Sequence, residues 1–159
     1  MSDIETQFIV NVQGFLGHKV TRIERLRYLV TDQPEVDEGE LSLWFNGRVM
    51  RFAVGADGER IRFTQEPWTD PFVGPQSEVD SEYVARHGQW VQMNVSLEAR
   101  YSAVVGTSLV DVFPISNQFA KLIGFSLTFD SEILNVFVDG DELCVAWGAD
   151  NVPLWQTAH

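Results

Sequence analysis

Two stretches of this 159-residue sequence carry the same pattern of apolar side chains. Residues 41–63 read LSLWFNGRVMRFAVGADGERIRF, and residues 125–145 read FSLTFDSEILNVFVDGDELCV. Six apolar residues of the first stretch have apolar counterparts 84 positions later: Leu41, Leu43, Phe45, Met50, Phe52 and Val54. A repeat of this kind predicts two similar structural units that share one core, because a single small unit buries little apolar surface.

The alternation within each unit is typical of β-strands. Apolar and polar residues alternate along 41–45, 50–54 and their counterparts, which is the period of a strand with one buried face. The Asp-Gly pairs that begin at Asp57 and Asp139 favour turns between strands, because such turns need a residue with positive φ. Each unit is therefore expected to contain a three-stranded antiparallel meander.

The repeat continues upstream of the meanders. The segment GHKVTRIERL matches GTSLVDVFPI at an offset of 89, so the duplicated units are expected to span 17–63 and 106–147. Each unit should begin with a less regular strand, at 18–28 in the first unit and at 107–117 in the second. Apolar residues spaced by three in these segments suggest a bulge.

The remaining segments predict an N-terminal helix, a connection and one further strand. The opening Ser-Asp-Ile-Glu forms a capping-box pattern for a helix over 2–16. Its expected buried face consists of Ile4, Phe8, Val12 and Phe15. The connection 64–89 is expected to hold a short helix beginning after Ser77, and residues 90–97 alternate as a strand. The predicted fold is one α+β domain, mainly β, over residues 1–159.

The charge balance limits the classes of partner. The chain carries a net charge of −12 with a pI of about 4.5, whereas a nucleic-acid or anionic-membrane surface needs a basic footprint. A basic protein is the favoured partner. The single cysteine, Cys144, favours a reducing compartment, and the acidic N-terminus predicts no signal peptide. We therefore expect a cytoplasmic protein that binds neither nucleic acid nor membrane.

The sequence predicts no catalytic constellation, cofactor site or metal site. His18, His87 and His159 are scattered, and GTSLV at 106–110 resembles a nucleophile elbow only until Val110 replaces the required glycine. No phosphate-binding glycine loop or dinucleotide fingerprint is present. We therefore expect a protein that is not an enzyme.

The segment Asp139-Gly140-Asp141-Glu142 raises the question of a calcium site, because it looks like the start of a calcium loop. Such a loop continues with an oxygen ligand at its fifth position. That position is Leu143, which alternation assigns to the core. A hairpin turn is therefore the expected structure, with no bound metal.

An acidic connection is the first candidate for a binding surface. Residues 32–40 read DQPEVDEGE and contribute Glu35, Asp37, Glu38 and Glu40. The Pro-rich loop 63–76 could support it, with the side chains of Trp68, Asp70 and Phe72. A solvated loop is the alternative interpretation of the acidic run, but loops on a rigid sheet are where recognition concentrates.

The polar face of the first unit is the second candidate. Alternation places Ser42, Trp44, Arg51 and Arg62 on one face of the sheet. A tryptophan flanked by arginines is a common binding anchor. The alternative is an internal ion-pair surface, because arginine stems also cover sheet faces.

The second half resembles small acidic bacterial immunity proteins of toxin–immunity loci and related uncharacterised families. The resemblance rests on the opening VVGTSLV, on Gly-Phe-x-Leu-x-Phe at 124–129, and on the closing Asp-Glu-Leu at 141–143. It covers roughly residues 90–147, with a weaker similarity in 17–63. It transfers no individual binding residue, but it implies a non-catalytic inhibitor that occludes the active site of a toxin.

Two function hypotheses follow. The first is an immunity-type inhibitor that neutralises a basic toxin, for example a nuclease. The alternative is a secretion chaperone or scaffold protein, which predicts a homodimer with a broad apolar groove. A small-molecule or enzymatic pocket between the two units stays open as a third interpretation.

Overall fold

The computed structural model describes residues 2–29, 39–69, 89–130, 132–149 and 157–158. The fold is mainly β, with two antiparallel sheets. The strands of the first sheet are β1 (Arg22–Leu29), β2 (Leu41–Phe45), β3 (Arg48–Val54), β4 (Ile61–Thr64) and β5 (Gln89–Asn94). Those of the second sheet are β6 (Asp111–Ser116), β7 (Leu122–Thr128), β8 (Ile133–Asp139), β9 (Glu142–Trp147) and the two-residue β10 (Thr157–Ala158). The helices are α1 (Asp3–Gln13) and α2 (Tyr101–Val104).

The two sheets have the same strand order. The first runs β4-β3-β2-β1-β5, and the second runs β9-β8-β7-β6-β10 when it is read from the corresponding edge. In each sheet four consecutive strands form a meander, and a fifth strand returns to pair with the first of them. The sequence predicted β5, but it predicted only three regular strands in each meander, preceded by a less regular strand.

The leading strands β1 and β6 differ in regularity, and only β1 is more regular than predicted. β6 shifts register between Ile115 and Ser116, where the sequence suggested a bulge, whereas the registers of β1 show no shift. The spacing of three in β1 has another cause. Val20 precedes the strand, and Ile23 and Leu26 lie on opposite faces because successive side chains alternate.

The two Asp-Gly turns differ in length. Asp139 pairs with Glu142, and Gly140 and Asp141 have φ values of 59° and 66°, so this connection is a tight hairpin turn as predicted. Leu143 follows it in the core with 1% exposure. The first turn is four residues longer, because its last strand pair joins Val54 to Ile61.

The inner faces of both sheets and the helix α1 form one apolar core. Phe52 of the first sheet and Phe125 of the second lie with ring centroids 5.6 Å apart. The predicted capping box of α1 is present, but the predicted buried face is partly wrong. Ile4 is 67% exposed and Glu5 is buried, because the buried face of the helix is rotated toward Glu5, where Leu122 donates its backbone N–H to the carboxylate.

The two halves join at the segments that precede β1 and β6. Lys19 forms an antiparallel bridge with Ser108, which is the residue 89 positions later. Backbone hydrogen bonds on both sides of this bridge link Gly17 to Leu109 (2.8 Å) and Val20 to Thr107 (3.0 Å). Each segment therefore pairs with its own counterpart in the sequence repeat.

Some predictions fall outside the described residues. The short helix expected after Ser77 lies there, as does most of the connection 64–89. Within the residues that are described, no helix combines the length and the apolar character that a membrane crossing requires.

Candidate functional site

The structure brings together two of the sequence-predicted candidates. Glu40, at the end of the acidic connection, accepts from Arg51 at 3.4 Å and pairs with Arg62 at 3.5 Å. Both arginines of the polar face therefore share one carboxylate from the neighbouring loop. Trp68 is half-buried. The other predicted residues lie outside the described residues: Glu35, Asp37, Glu38, Asp70 and Phe72.

Trp44 is held by its neighbours on the polar face. Its indole N–H donates to Glu24 at 2.5 Å, and the Arg22 guanidinium lies 4.6 Å from the ring centroid. Ser42 lies opposite Arg51 in the register, as alternation predicted. These contacts favour the internal ion-pair interpretation of this face over a binding anchor.

Buried polar atoms without a partner also occur on this face. Among the described residues, Ser42 Oγ, Arg51 Nε and Gln92 Oε1 make no hydrogen bond. Gln92 lies on β5, two strands away from Ser42, so the three atoms are distributed across the sheet rather than gathered by one strand.

The outer face of the second sheet has a different character. Asn135 occupies the position 84 residues after Arg51 and is fully buried, donating from Nδ2 to the Gly148 carbonyl at 2.9 Å. Phe137 packs over Gly124 so closely that a Cβ on this glycine would lie 2.7 Å from the Phe137 Cβ. Ser126 and Thr128 lie on the same face, opposite Asn135 and Ile133, so the face combines apolar side chains with small polar ones.

The surface also carries a cleft that sequence reasoning missed. It lies where the β3–β4 turn, the β6–β7 loop and the β8–β9 turn meet, and its volume is about 540 Å³. We call it the turn cleft. It is lined by Gly58, Glu59, Asn117, Gln118, Phe119, Ile123, Val138, Asp139, Gly140 and Asp141.

The turn cleft combines an apolar interior with an acidic edge. Ile123 and Val138 are almost fully buried, at 2% and 4% exposure, and line the interior. Carboxylates stand at the edge on Glu59, Asp139 and Asp141, all of which are exposed. Such a surface can hold the alkyl stem and the charged end of a basic side chain together.

The β6–β7 loop presents Phe119, which is 71% exposed. The loop is closed by Asn117, whose Oδ1 accepts from the backbone N–H of Phe119 at 2.9 Å and of Lys121 at 3.1 Å. Ala120 has a φ of 60°, which is uncommon for a residue with a Cβ. The hydrogen bonds therefore hold Phe119 in a defined loop. A phenylalanine within the polar run Ser-Asn-Gln-Phe is the signal that the sequence offered.

Direct contacts tie the three connections together. Gly58 has a φ of 71°, and a Cβ there would lie 1.8 Å from Asp141 Oδ1, so the two Asp-Gly turns touch. The ammonium group of Lys121 pairs with the Glu59 carboxylate. The edges of the turn cleft are thus fixed by both sheets.

A buried arginine supports the other side of the β8–β9 turn. Arg25 is 1% exposed and donates to the carbonyl oxygens of Gly39 at 3.1 Å and Leu143 at 2.6 Å, and to the hydroxyl of Tyr101 at 3.3 Å. Gly39 and Leu143 line a second cleft of about 420 Å³. The Arg25 guanidinium therefore connects the two sheets next to this second cleft.

The titratable groups near these clefts show modest perturbations. Backbone N–H groups of Arg60 and Glu59 lower the pKa of Asp57. Burial raises the pKa of the Cys144 thiol, which keeps it protonated and a poor nucleophile. Within the described residues, no group of three or more His, Cys, Asp or Glu side chains is placed to hold a metal ion.

Comparison with family models, with curated proteins and with solved structures finds no match to this chain. The resemblance to immunity proteins therefore stays a prediction.

Proposed function

We propose that this protein is a non-catalytic binding protein for a basic protein partner, acting as an immunity-type inhibitor that occludes the active site of a toxin. The distribution of charge carries the proposal. The chain has 23 acidic and 11 basic side chains, so its net charge is −12. A field of this sign attracts a basic partner and repels nucleic acid.

The basic side chains are largely occupied within the molecule. Ion pairs among the described residues hold Arg22, Arg27, Arg51, Arg60, Arg62, Arg100 and Lys121. Arg48 lies 4.3 Å from the centroid of the Phe15 ring. In contrast, Asp139, Asp141 and Glu142 form no ion pair with another described residue. The surplus negative charge is therefore presented to solvent, where a partner meets it.

A nuclease is a suitable target for such a surface. Its active site must attract phosphates, so it carries positive charge that an acidic protein can cover. Charge attraction of this kind mainly raises the association rate, and added salt weakens it. A tight inhibitor of this type needs no chemistry of its own.

The experiment begins with co-purification of the tagged full-length chain from its native host, followed by binding kinetics of the captured partner. We expect a basic partner whose association slows at least tenfold between about 50 mM and 500 mM salt, while dissociation changes much less. Its toxic activity should fall when the chain is co-expressed. A partner without positive charge, or an association rate independent of salt, would contradict the proposal.

The alternative of a homodimeric secretion chaperone has less support. A chaperone needs a broad apolar groove for an unfolded client, whereas the large exposed apolar side chains in the described residues come from separate segments: Ile4, Val10, Leu16, Trp90, Leu97, Val110, Phe113 and Phe119. Light scattering tests this alternative, because a monomer in solution would contradict a homodimeric chaperone.

We also propose that the two sheets are repeats of one unit, related by an approximate twofold axis at the Lys19–Ser108 bridge. Equal registers support the proposal. The pairs Ile23–Leu43 and Leu43–Met50 correspond to Val112–Leu127 and Leu127–Leu134 at the offsets of the sequence repeat. An experimental structure tests it, and failure of residues 41–63 to superpose on 125–145 would contradict it.

A further inference from the structure

We propose that the turn cleft is the surface that receives the partner, and that its occupant is a short basic segment of that protein carrying an apolar side chain beside its Arg or Lys. This inference rests on the proposed function and adds the place and chemistry of recognition. Neither the acidic connection nor the polar face is required for it.

The shape and the charge of the cleft fit one occupant. A volume of about 540 Å³ is in the range of ligand-sized sites. Ile123 and Val138 form an almost buried floor, the exposed apolar surface is that of Phe119, and Asp139 and Asp141 provide carboxylates at the edge. An arginine or lysine side chain fits this arrangement, because its apolar stem can contact the apolar surface while its charged end pairs with the carboxylates.

Phe119 adds an apolar contact beside the carboxylates. It is 71% exposed, although a phenylalanine gains much from burial. Asn117 closes the loop with two hydrogen bonds, so ordering this loop on binding costs little. An exposed aromatic ring on a fixed loop is a typical anchor of a protein interface.

The ion pair between Lys121 and Glu59 shows that the edge already accepts an ammonium group. Lys121 comes from the β6–β7 loop and Glu59 from the β3–β4 turn, so the pair joins two of the connections that form the cleft, although Lys121 itself does not line it. Asp139 and Asp141 form no such pair with a described residue. A basic partner can supply the cation that these two carboxylates lack.

A defined peptide tests the site without the natural partner. The probe is acetyl-Gly-Arg-Leu-Arg-Gly-amide, titrated into the isotope-labelled full-length chain and followed by amide NMR shifts. We expect the largest shifts at Phe119 and at 138–141. Asp139→Asn/Asp141→Asn should weaken the apparent affinity about fivefold to tenfold. Asparagine suits position 141 because it tolerates positive φ.

Two further variants make the test specific. Glu66→Gln/Asp130→Asn removes the same amount of charge from two exposed positions that do not line the cleft, and it should change the affinity less than twofold. Phe119→Ser should weaken the affinity about fivefold or more through the lost apolar contact. The amide spectrum of each free variant verifies that the fold is retained.

Three results would overturn the inference. They are peptide-induced shifts confined to other surfaces, equal losses in the two charge-neutralised variants, and shifts at the cleft with calcium chloride but none with the peptide.

Binding kinetics with the captured basic partner separate the inference about the cleft from the proposed function. If its rates are unchanged by Asp139→Asn/Asp141→Asn and by Phe119→Ser, the cleft is not the site although the proposed function stands. If the captured partner is not basic, the proposed function fails, while the peptide titration still decides the inference about the cleft.

Discussion

The two sheets share a strand order but differ in where they carry polar side chains. In the first sheet Arg25 is buried next to the second sheet, and the outer face is a network of paired charges. In the second sheet the position 89 residues after Arg25 is Pro114, and the outer face carries Ser126, Thr128 and Asn135 among apolar side chains. The two sheets therefore share a strand order with similar apolar side chains at core-facing positions, while the side chains at the other positions differ in charge and polarity.

Arg25 is tolerated in the interior because its donors find acceptors. A buried charge without hydrogen bonds is very costly, whereas the Arg25 guanidinium binds two carbonyl oxygens and one hydroxyl. Two of these acceptors, Tyr101 and Leu143, lie 76 and 118 residues away in the sequence. Arg25, which has no charged counterpart in the second sheet, therefore links the two sheets.

The largest expected effect comes from removing this link. Arg25→Met leaves the carbonyls of Gly39 and Leu143 without their donor, so the free energy of unfolding should fall by about 3 kcal/mol or more. Arg27→Met, two positions along the same strand, removes a partly exposed ion pair with Glu98 and should cost under about 1 kcal/mol. Urea denaturation measures both. Equal losses in the free energy of unfolding of the two variants would show that the buried Arg25 contributes no more than the partly exposed Arg27.

The two Asp-Gly turns give the next largest difference. Gly58→Ala should cost about 2 kcal/mol, because the residue has positive φ and its Cβ would meet the Asp141 carboxylate. Gly140→Ala has positive φ but nothing within 4 Å of the added Cβ, so about 1 kcal/mol is expected. Adding Asp141→Ala should recover the excess cost of Gly58→Ala. A double-mutant cycle without coupling would mean that the turns do not touch.

The outer faces provide a smaller test, which concerns Trp44. Trp44→Phe removes the hydrogen bond to Glu24 and should lower the free energy of unfolding by about 1 kcal/mol. Its counterpart in the second sheet, Thr128→Ala, has no such bond among the described residues and should cost less. Affinity for the arginine peptide should not change in either variant. A Trp44→Phe variant with normal stability and reduced affinity would instead identify the polar face as the binding surface.

The smallest expected effect depends on pH. The hydrogen-bonded guanidinium of Arg27 holds the pKa of Glu98 below its ordinary value of 4.5. Because the pKa is lower in the folded state, the pair stabilises the protein above that value, and the stabilisation is lost as pH falls through the folded-state pKa. The Glu98 side chain is 46% exposed, so about 0.5 kcal/mol or less is expected at pH 7. Wild type and Glu98→Gln compared from pH 7 to pH 3 should therefore converge, and a constant difference would contradict this origin.

The sequence predicted most of the elements because their signals are local. Alternation located β2, β3, β7 and β8, the Asp-Gly pairs located the turns, and Ser2 with Glu5 located the start of α1. The same patterns left out α2, which has four residues and no side-chain cap. A helix of one turn has too little periodicity to be recognised.

The buried charge and the turn cleft were not predictable for a different reason. A strand pattern places Arg25 on the same face as Ile23, but a charged residue is normally assigned to solvent. Its acceptors are distant in sequence, and so are the three connections that line the cleft. Most of the acidic connection lies outside the described residues, so its role stays a prediction.

The Lys19–Ser108 bridge has a consequence for the order in which the molecule assembles. Neighbouring meander strands are close in sequence and can pair early, whereas this bridge joins residues 89 positions apart, so its loop-closure cost is high. Contacts between the halves are therefore expected to form after the folding transition state. Changes at this joint should mainly accelerate unfolding and leave the folding rate nearly constant, so they should shorten the lifetime of the native state.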